Sequence, residues 1–154
     1  MLKLDAVRLA NELMAECKLT GWQFQINSNK TRFGVCKFPR QRRGQWIPGR
    51  IEISRYHLTD EDYQVKNTIL HEIAHAVVGP QHGHNAVWRS HAIAIGCDGE
   101  RCGKGRVNAP YKWAGTCPSC STIYKRHRRL HRGSCPFCSH GRFNPAFLIV
   151  WKLA

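Results

Sequence analysis

The chain has 154 residues, enough for one compact domain with a real core plus a small appendage that hydrophobic burial alone does not fold. Twenty-four Lys and Arg against ten Asp and Glu give a formal charge of +14, while MLKLDAVRLANELMAEC carries acids throughout and the FLIVW run near the C-terminus is too short to span a bilayer. This excludes a signal peptide and a membrane anchor and predicts a cytosolic or nuclear protein, in whose reducing surroundings eight cysteines point to metal ligation rather than disulfides.

Leu2, Ala6, Leu9, Leu13 and Cys17 recur at helical spacing, with Met14 beside them, and predict an amphipathic first helix that stops near Gly21. WQFQIN alternates strictly, with Trp22, Phe24 and Ile26 on one face, and NSNK follows as a turn. TRFGVCKF reads as a second strand and RIEIS as a third, with Ile51 and Ile53 inward; three short sequential strands read most simply as an antiparallel meander. The loop between the last two, Lys37 to Arg50, holds Lys37, Arg40, Arg42, Arg43 and Arg50 with Phe38 and Trp46 interleaved and no acid. Thr59 with Asp62 three residues on has the form of a capping box, and Gly79-Pro80 is a stop, so a helix of about five turns lies between them. Val65, Ile69, Ile73 and Val77 supply its core-facing stripe. NAVWRSHAIAIG predicts a further helix ending at Gly96, and CDGERCGKGRVNAP reads as a linker.

The long helix contains HEIAH. Residues four apart share a helix face, so His71 and His75 can converge on one Zn²⁺ ion, with Glu72 placed to take a proton from water that the metal acidifies. The bland alternative is a pair of core histidines with an incidental carboxylate. A catalytic zinc of this kind takes a third protein ligand and keeps one position open, and His82, His84 and His91 are the candidates. The metzincin pattern is excluded, because the places of its glycine and third histidine hold Val78 and Gln81. Spacing does not choose between His82 and His84; His91 reads as an ordinary helix residue.

Beyond Glu100 there is no acid, against eleven Lys and Arg. CPSC and CPFC set Cys117, Cys120, Cys135 and Cys138 in two pairs fourteen residues apart, the spacing of a zinc ribbon whose four thiolates hold a structural ion. So short a module depends on the metal for its folding free energy. Between the pairs runs STIYKRHRRLHRG, where Lys125, Arg126, Arg128, Arg129 and Arg132 crowd beside Tyr124, His127 and His131. Phosphates reward that charge by counterion release and aromatic rings stack on unpaired bases, so the ribbon reads as a grip on single-stranded or partly unpaired nucleic acid, the blander alternative being a scaffold with a solvated basic face. Cys97 and Cys102 are assigned no catalytic part, and Cys17 and Cys36 read as small core residues.

The order helix, W-x-F-x-I, G-V-C, I-E-I-S, HEIAH, G-H-x-x-x-W and zinc ribbon resembles the SprT-like (Spartan-type) zinc metalloproteases over nearly the whole chain. The resemblance implies that the third ligand is the histidine four residues before an aromatic, here His84 before Trp88, followed by Asn85 where the family usually has glycine. It also implies a link to DNA-protein crosslinks. The expectation is therefore an α+β chain: a small zincin-like metalloprotease domain over 1–110, built of an N-terminal helix, a three-stranded antiparallel sheet and the HExxH helix, then a zinc-ribbon domain over 111–154. It is expected to act as a monomeric zinc endopeptidase on DNA-attached proteins, with one catalytic and one structural Zn²⁺ and no membrane partner. Two rivals are a nucleic-acid-binding module with a structural HExxH site and a zinc peptidase with no use for DNA.

Overall fold

The computed structural model describes residues 1–101 and 107–154; Cys102 lies outside the described residues. The chain divides into two units, Met1–Asn108 and Ala109–Ala154. Among the described residues no helix is long and apolar enough to cross a membrane.

In the first unit, α1 (Lys3–Glu16) buries Ala6, Ala10 and Met14 and leaves Leu2 and Leu4 in solvent. It ends before the Gly21 signal, because Lys18 takes the left-handed conformation (φ 55°). The Leu19 N–H then bonds back to Met14 and the Lys18 N–H to Ala15, satisfying the last carbonyls in a Schellman closure.

The antiparallel meander is corrected. β1 (Gln23–Asn27), β2 (Gly34–Lys37) and β5 (Arg50–Ser54) form a mixed sheet in the order β1-β5-β2, with β5 parallel to β1 and antiparallel to β2. The cause lies in residues 28–33. The Asn27 and Asn29 side chains accept from the backbone N–H groups of Asn29, Thr31 and Arg32, and the Ser54 N–H donates to the Phe33 carbonyl, which makes a wide connection rather than a tight turn. It holds β1 and β2 about 10 Å apart, two strand spacings, and β5 fills the slot. Ile51 through Ser54 are accordingly all buried.

The basic segment between β2 and β5 is not a loop. β3 (Arg40–Arg42) and β4 (Gln45–Ile47) pair antiparallel in the register that β2 and β5 already set: Lys37 faces Arg50, Arg40 faces Ile47, Arg42 faces Gln45. The whole is one long hairpin. Its two-residue tip, Arg43 and Gly44, has positive φ at both positions (49° and 78°), a turn whose twist matches that of the strands. The same register sets Pro39 opposite Pro48, and since neither has an N–H to donate, the ladder breaks there. At its base Gly49 lets Trp22 pack flush, because a Cβ there would lie 2.6 Å from the indole.

α2 (Asp62–Val78) packs on this sheet through Val65, Ile69 and Ile73, while Leu70 and Ala74 meet Trp88 and Ala92 of α3 (Ala86–Ala94). Val77, expected in the stripe, is exposed. The capping box is also absent. Thr59 ends a 3₁₀ turn, His57–Thr59, and its hydroxyl donates locally to the Tyr56 carbonyl, so it cannot cap a helix that begins at Asp62. Asn85 does cap α3, its side chain accepting from the Val87 and Trp88 N–H groups.

In the second unit β6 (Trp113–Thr116) lies between β7 (Ile123–Arg126) and β8 (Val150–Leu153), antiparallel to both. Gly115 leaves room for Ile149 and Trp151, which a Cβ would meet at 2.5 and 2.7 Å. The most deeply buried side chains here are Cys117 and Cys135, while Ile123, Phe137, Phe143, Val150 and Leu153 stay in solvent. Its interior is built around sulfur.

Candidate active site and metal centres

Helical periodicity puts Thr68, His71, Glu72 and His75 on the side of α2 that faces β2 and the turn after Gly79. That turn needs glycine twice, at Gly79 (φ 91°) and Gly83 (φ 50°), and so delivers His84 back over the helix. The three Nε2 atoms converge: His71 to His84 3.0 Å, His75 to His84 3.0 Å and His71 to His75 3.3 Å. The Trp88 indole, almost fully buried, forms their common floor, with ring centroids 4.6 to 5.2 Å away. His82 instead turns to Asn85, 3.3 Å off, and His91 stays on α3; neither joins the cluster.

A neutral imidazole has a single N–H, so three Nε2 atoms at these distances cannot all be satisfied by bonding one another. A cation satisfies them together, since zinc–nitrogen bonds of about 2.0–2.1 Å at tetrahedral angles put the donors about 3.3 Å apart. The donor set fits Zn²⁺. Burial first, and the neighbouring imidazoles second, push His71 and His75 down to about 4, which leaves their lone pairs free at neutral pH. The Asp98 charge and the Glu100 backbone pull His71 weakly the other way.

Glu72 is buried beside this cluster. Burial pushes its carboxyl up to about 7, against the opposing pull of the Cys36 N–H and the Arg32 charge. Burial and then the Glu72 charge raise the Cys36 thiol to about 12, leaving it protonated. Across from Glu72 stands Gly34, where a Cβ would lie 2.7 Å from the carboxylate Oε1 and 2.9 Å from the Thr68 methyl. The resulting cleft, about 640 Å³, runs between β2 and the histidines and is bordered by Arg32, Phe38 and Arg101.

Sequence reasoning missed several supports. Buried His57 bridges Asp60 (2.7 Å) and the Thr68 hydroxyl (2.8 Å), tying the 3₁₀ turn to α2 one turn before Glu72. The Asp98 N–H donates to the Asn67 side chain at 2.9 Å, fastening the chain after α3 to the same helix. No residue spacing announces either contact. Cys97 is buried with its thiol toward the Asn67 carbonyl, and Cys17 and Cys36 are half-buried; among the described residues none of the three joins a metal-ligating cluster.

In the second unit the four expected cysteines meet. Cys117 Sγ lies 3.9 Å from Cys138 Sγ and Cys120 Sγ 3.7 Å from Cys135 Sγ, all four within 4.8 Å of one another. These separations are far beyond a disulfide bond of about 2.05 Å and close to the edge of about 3.8 Å that four zinc–sulfur bonds of about 2.3 Å imply. Cys135 is held down to about 6, first by the Cys138 N–H and then by the Tyr124 hydroxyl at 3.0 Å. Nearby, Tyr111 stacks on His127 and the Arg129 guanidinium lies over the Trp113 ring.

No curated protein matches the chain. The model of the SprT-like family matches residues 5–109, which run from α1 past the three converging histidines. On a match that covers more than half its length, the chain belongs to the SprT-like family.

Proposed function

We propose that the first unit is a zinc-dependent endopeptidase that cuts proteins held on DNA. The observation that carries this reading is the convergence of three ring nitrogens beside a buried carboxylate, with no fourth His, Cys, Asp or Glu donor in the group among the described residues. Membership of a family of metallopeptidase type agrees with it. His71, His75 and His84 would hold the catalytic ion, and Cys117, Cys120, Cys135 and Cys138 a structural one. When bound, the catalytic zinc supplies Lewis acidity, making a water molecule acidic and polarising the scissile carbonyl.

The chain's own residues do the rest. Glu72 takes the proton of the attacking water at a carboxylate oxygen and returns it to the departing amine. Its carboxylate is steadied by the Cys36 N–H and by the close fit of Gly34. β2, hydrogen-bonded to β5 on one side, lines the cleft with its other edge, where an extended substrate can pair with free main-chain groups. DNA as the second partner is supported by the eleven cations and no acids after Glu100 and by the aromatic rings among them.

Glu72→Gln tests the reading. Cleavage of casein or histone should fall at least a hundredfold with zinc content and DNA affinity unchanged. Loss of the metal, or undiminished cleavage, would mean that Glu72 is structural. Running the assay with and without single-stranded DNA tests the second half: equal rates together with salt-insensitive binding would leave a peptidase indifferent to DNA.

A further inference from the structure

We propose that the β3–β4 tip of the long hairpin is a contact for single-stranded nucleic acid, Arg40, Arg42 and Arg43 meeting phosphates and Trp46 stacking on an unpaired base. The proposal deepens the DNA-directed half of the function above and rests on it for the identity of the polyanion.

Every residue from Arg40 to Trp46 is exposed, and the Trp46 indole is 70% in solvent. An aromatic of that size normally stabilises a core or an interface by burial, and here it does neither. The ribbon gains nothing from the main sheet, because β3 and β4 form a separate two-stranded pair beyond the Pro39–Pro48 break. Two strands alone are marginal in water. The cations are equally unspent. At the hairpin base Lys37 and Arg50 engage Glu52, at 2.6 and 3.5 Å, whereas among the described residues no carboxylate pairs with Arg40, Arg42 or Arg43. Three guanidinium groups within four positions, held out on a projecting tip, raise the local positive potential and favour a polyanion.

The register says which kind. Alternation puts Arg40 and Arg42 on one face of the ribbon and Trp46, opposite Gln41, on the other, with Arg43 at the turn. β3 and β4 are a pair closed by a two-residue tip with, among the described residues, no further strand at either edge, so one flexible chain can wrap from one face to the other. Its phosphates meet guanidinium groups and one base meets the indole. A duplex presents phosphates but keeps its base faces stacked inside, so it satisfies the arginines and leaves Trp46 idle. An anionic membrane is a poorer match, because insertion takes an apolar face and Trp46 has Gln41 across from it.

The experiment uses the full zinc-loaded chain and a fluorescently labelled oligothymidine, read by anisotropy across a salt series. Trp46→Ala should weaken binding roughly 5- to 100-fold, with partial recovery in Trp46→Phe, and should hardly alter binding to a duplex of equal length. Arg40→Ala with Arg42→Ala should lower the salt slope by roughly 1.4, two phosphate contacts' worth on a single strand. The positions are in solvent, so circular dichroism and zinc content should match wild type. Wild-type affinity in Trp46→Ala overturns the proposal, as does an equal loss on single strand and duplex. Trp46-dependent capture by phosphatidylserine vesicles with oligonucleotide binding unmoved overturns it too and makes the tip a membrane contact. Cleavage of free casein by the wild-type chain is scored separately: its failure removes the peptidase reading and leaves this one standing, and the reverse also holds.

Discussion

At Gly34 the edge strand comes so close to α2 that no side chain fits between them, and the residue it presses against is Glu72. Gly34→Ala should therefore push the carboxylate off its position rather than dislodge the metal. We expect kcat/KM for casein to fall tenfold or more, zinc content to stay at the wild-type level, and stability to drop by about 1–3 kcal/mol from overpacking, measured by thermal melting. Full activity in the alanine variant would mean that the carboxylate has slack. The sequence carries this glycine only as the first residue of G-V-C, and its role comes from a neighbour thirty-eight positions away. His71, Glu72 and His75 were legible because a helix converts a four-residue interval into a shared face. His84 was not distinguishable from His82 by spacing; the choice depends on the backbone freedom of Gly83, which a one-dimensional pattern does not carry.

Among the elements, β5 shows what alternation does and does not reveal. Ile51 and Ile53 announce an inward face, and both are fully buried. That the strand is central, and parallel to β1, depends on the wide connection held by Asn27 and Asn29, so the order of the sheet was out of reach. Centrality also explains Glu52, an acid buried on the opposite face. Burial alone would raise its carboxyl, but hydrogen bonds from Lys37 and Asn27, with the charges of Lys37 and Arg50, outweigh that and hold it below the usual range. A lowered folded-state pKa means that the ionised form stabilises the fold above the ordinary carboxylate value of about 4.3 and that this contribution fades as pH falls through the lowered value. Glu52→Gln should cost about 1.5–3 kcal/mol at neutral pH. The gap between wild type and variant should narrow in acid, below about pH 4, by urea unfolding. A gap independent of pH would show that shape, not charge, is what the position supplies.

On the scale of the whole molecule, the two units are held by different means. Met1–Asn108 has an apolar interior of Val65, Ile51, Ile53, Ile69 and Ile73, whereas Ala109–Ala154 buries cysteine where a core would otherwise be. A strong chelator should accordingly unfold the second unit and leave the first folded though inactive. Limited proteolysis should then cut between 109 and 154 and spare the remainder, and added zinc should reverse it. Uniform resistance of both units after verified metal removal would contradict the structural role given to the four thiolates. The facing prolines at 39 and 48 have a consequence of their own. Because the ladder is already severed there, a residue pair inserted or removed beyond them reshapes the tip without shifting the alignment of Gly34 and Cys36 over the carboxylate. The outer hairpin can diversify freely while the strand beside the carboxylate stays in true.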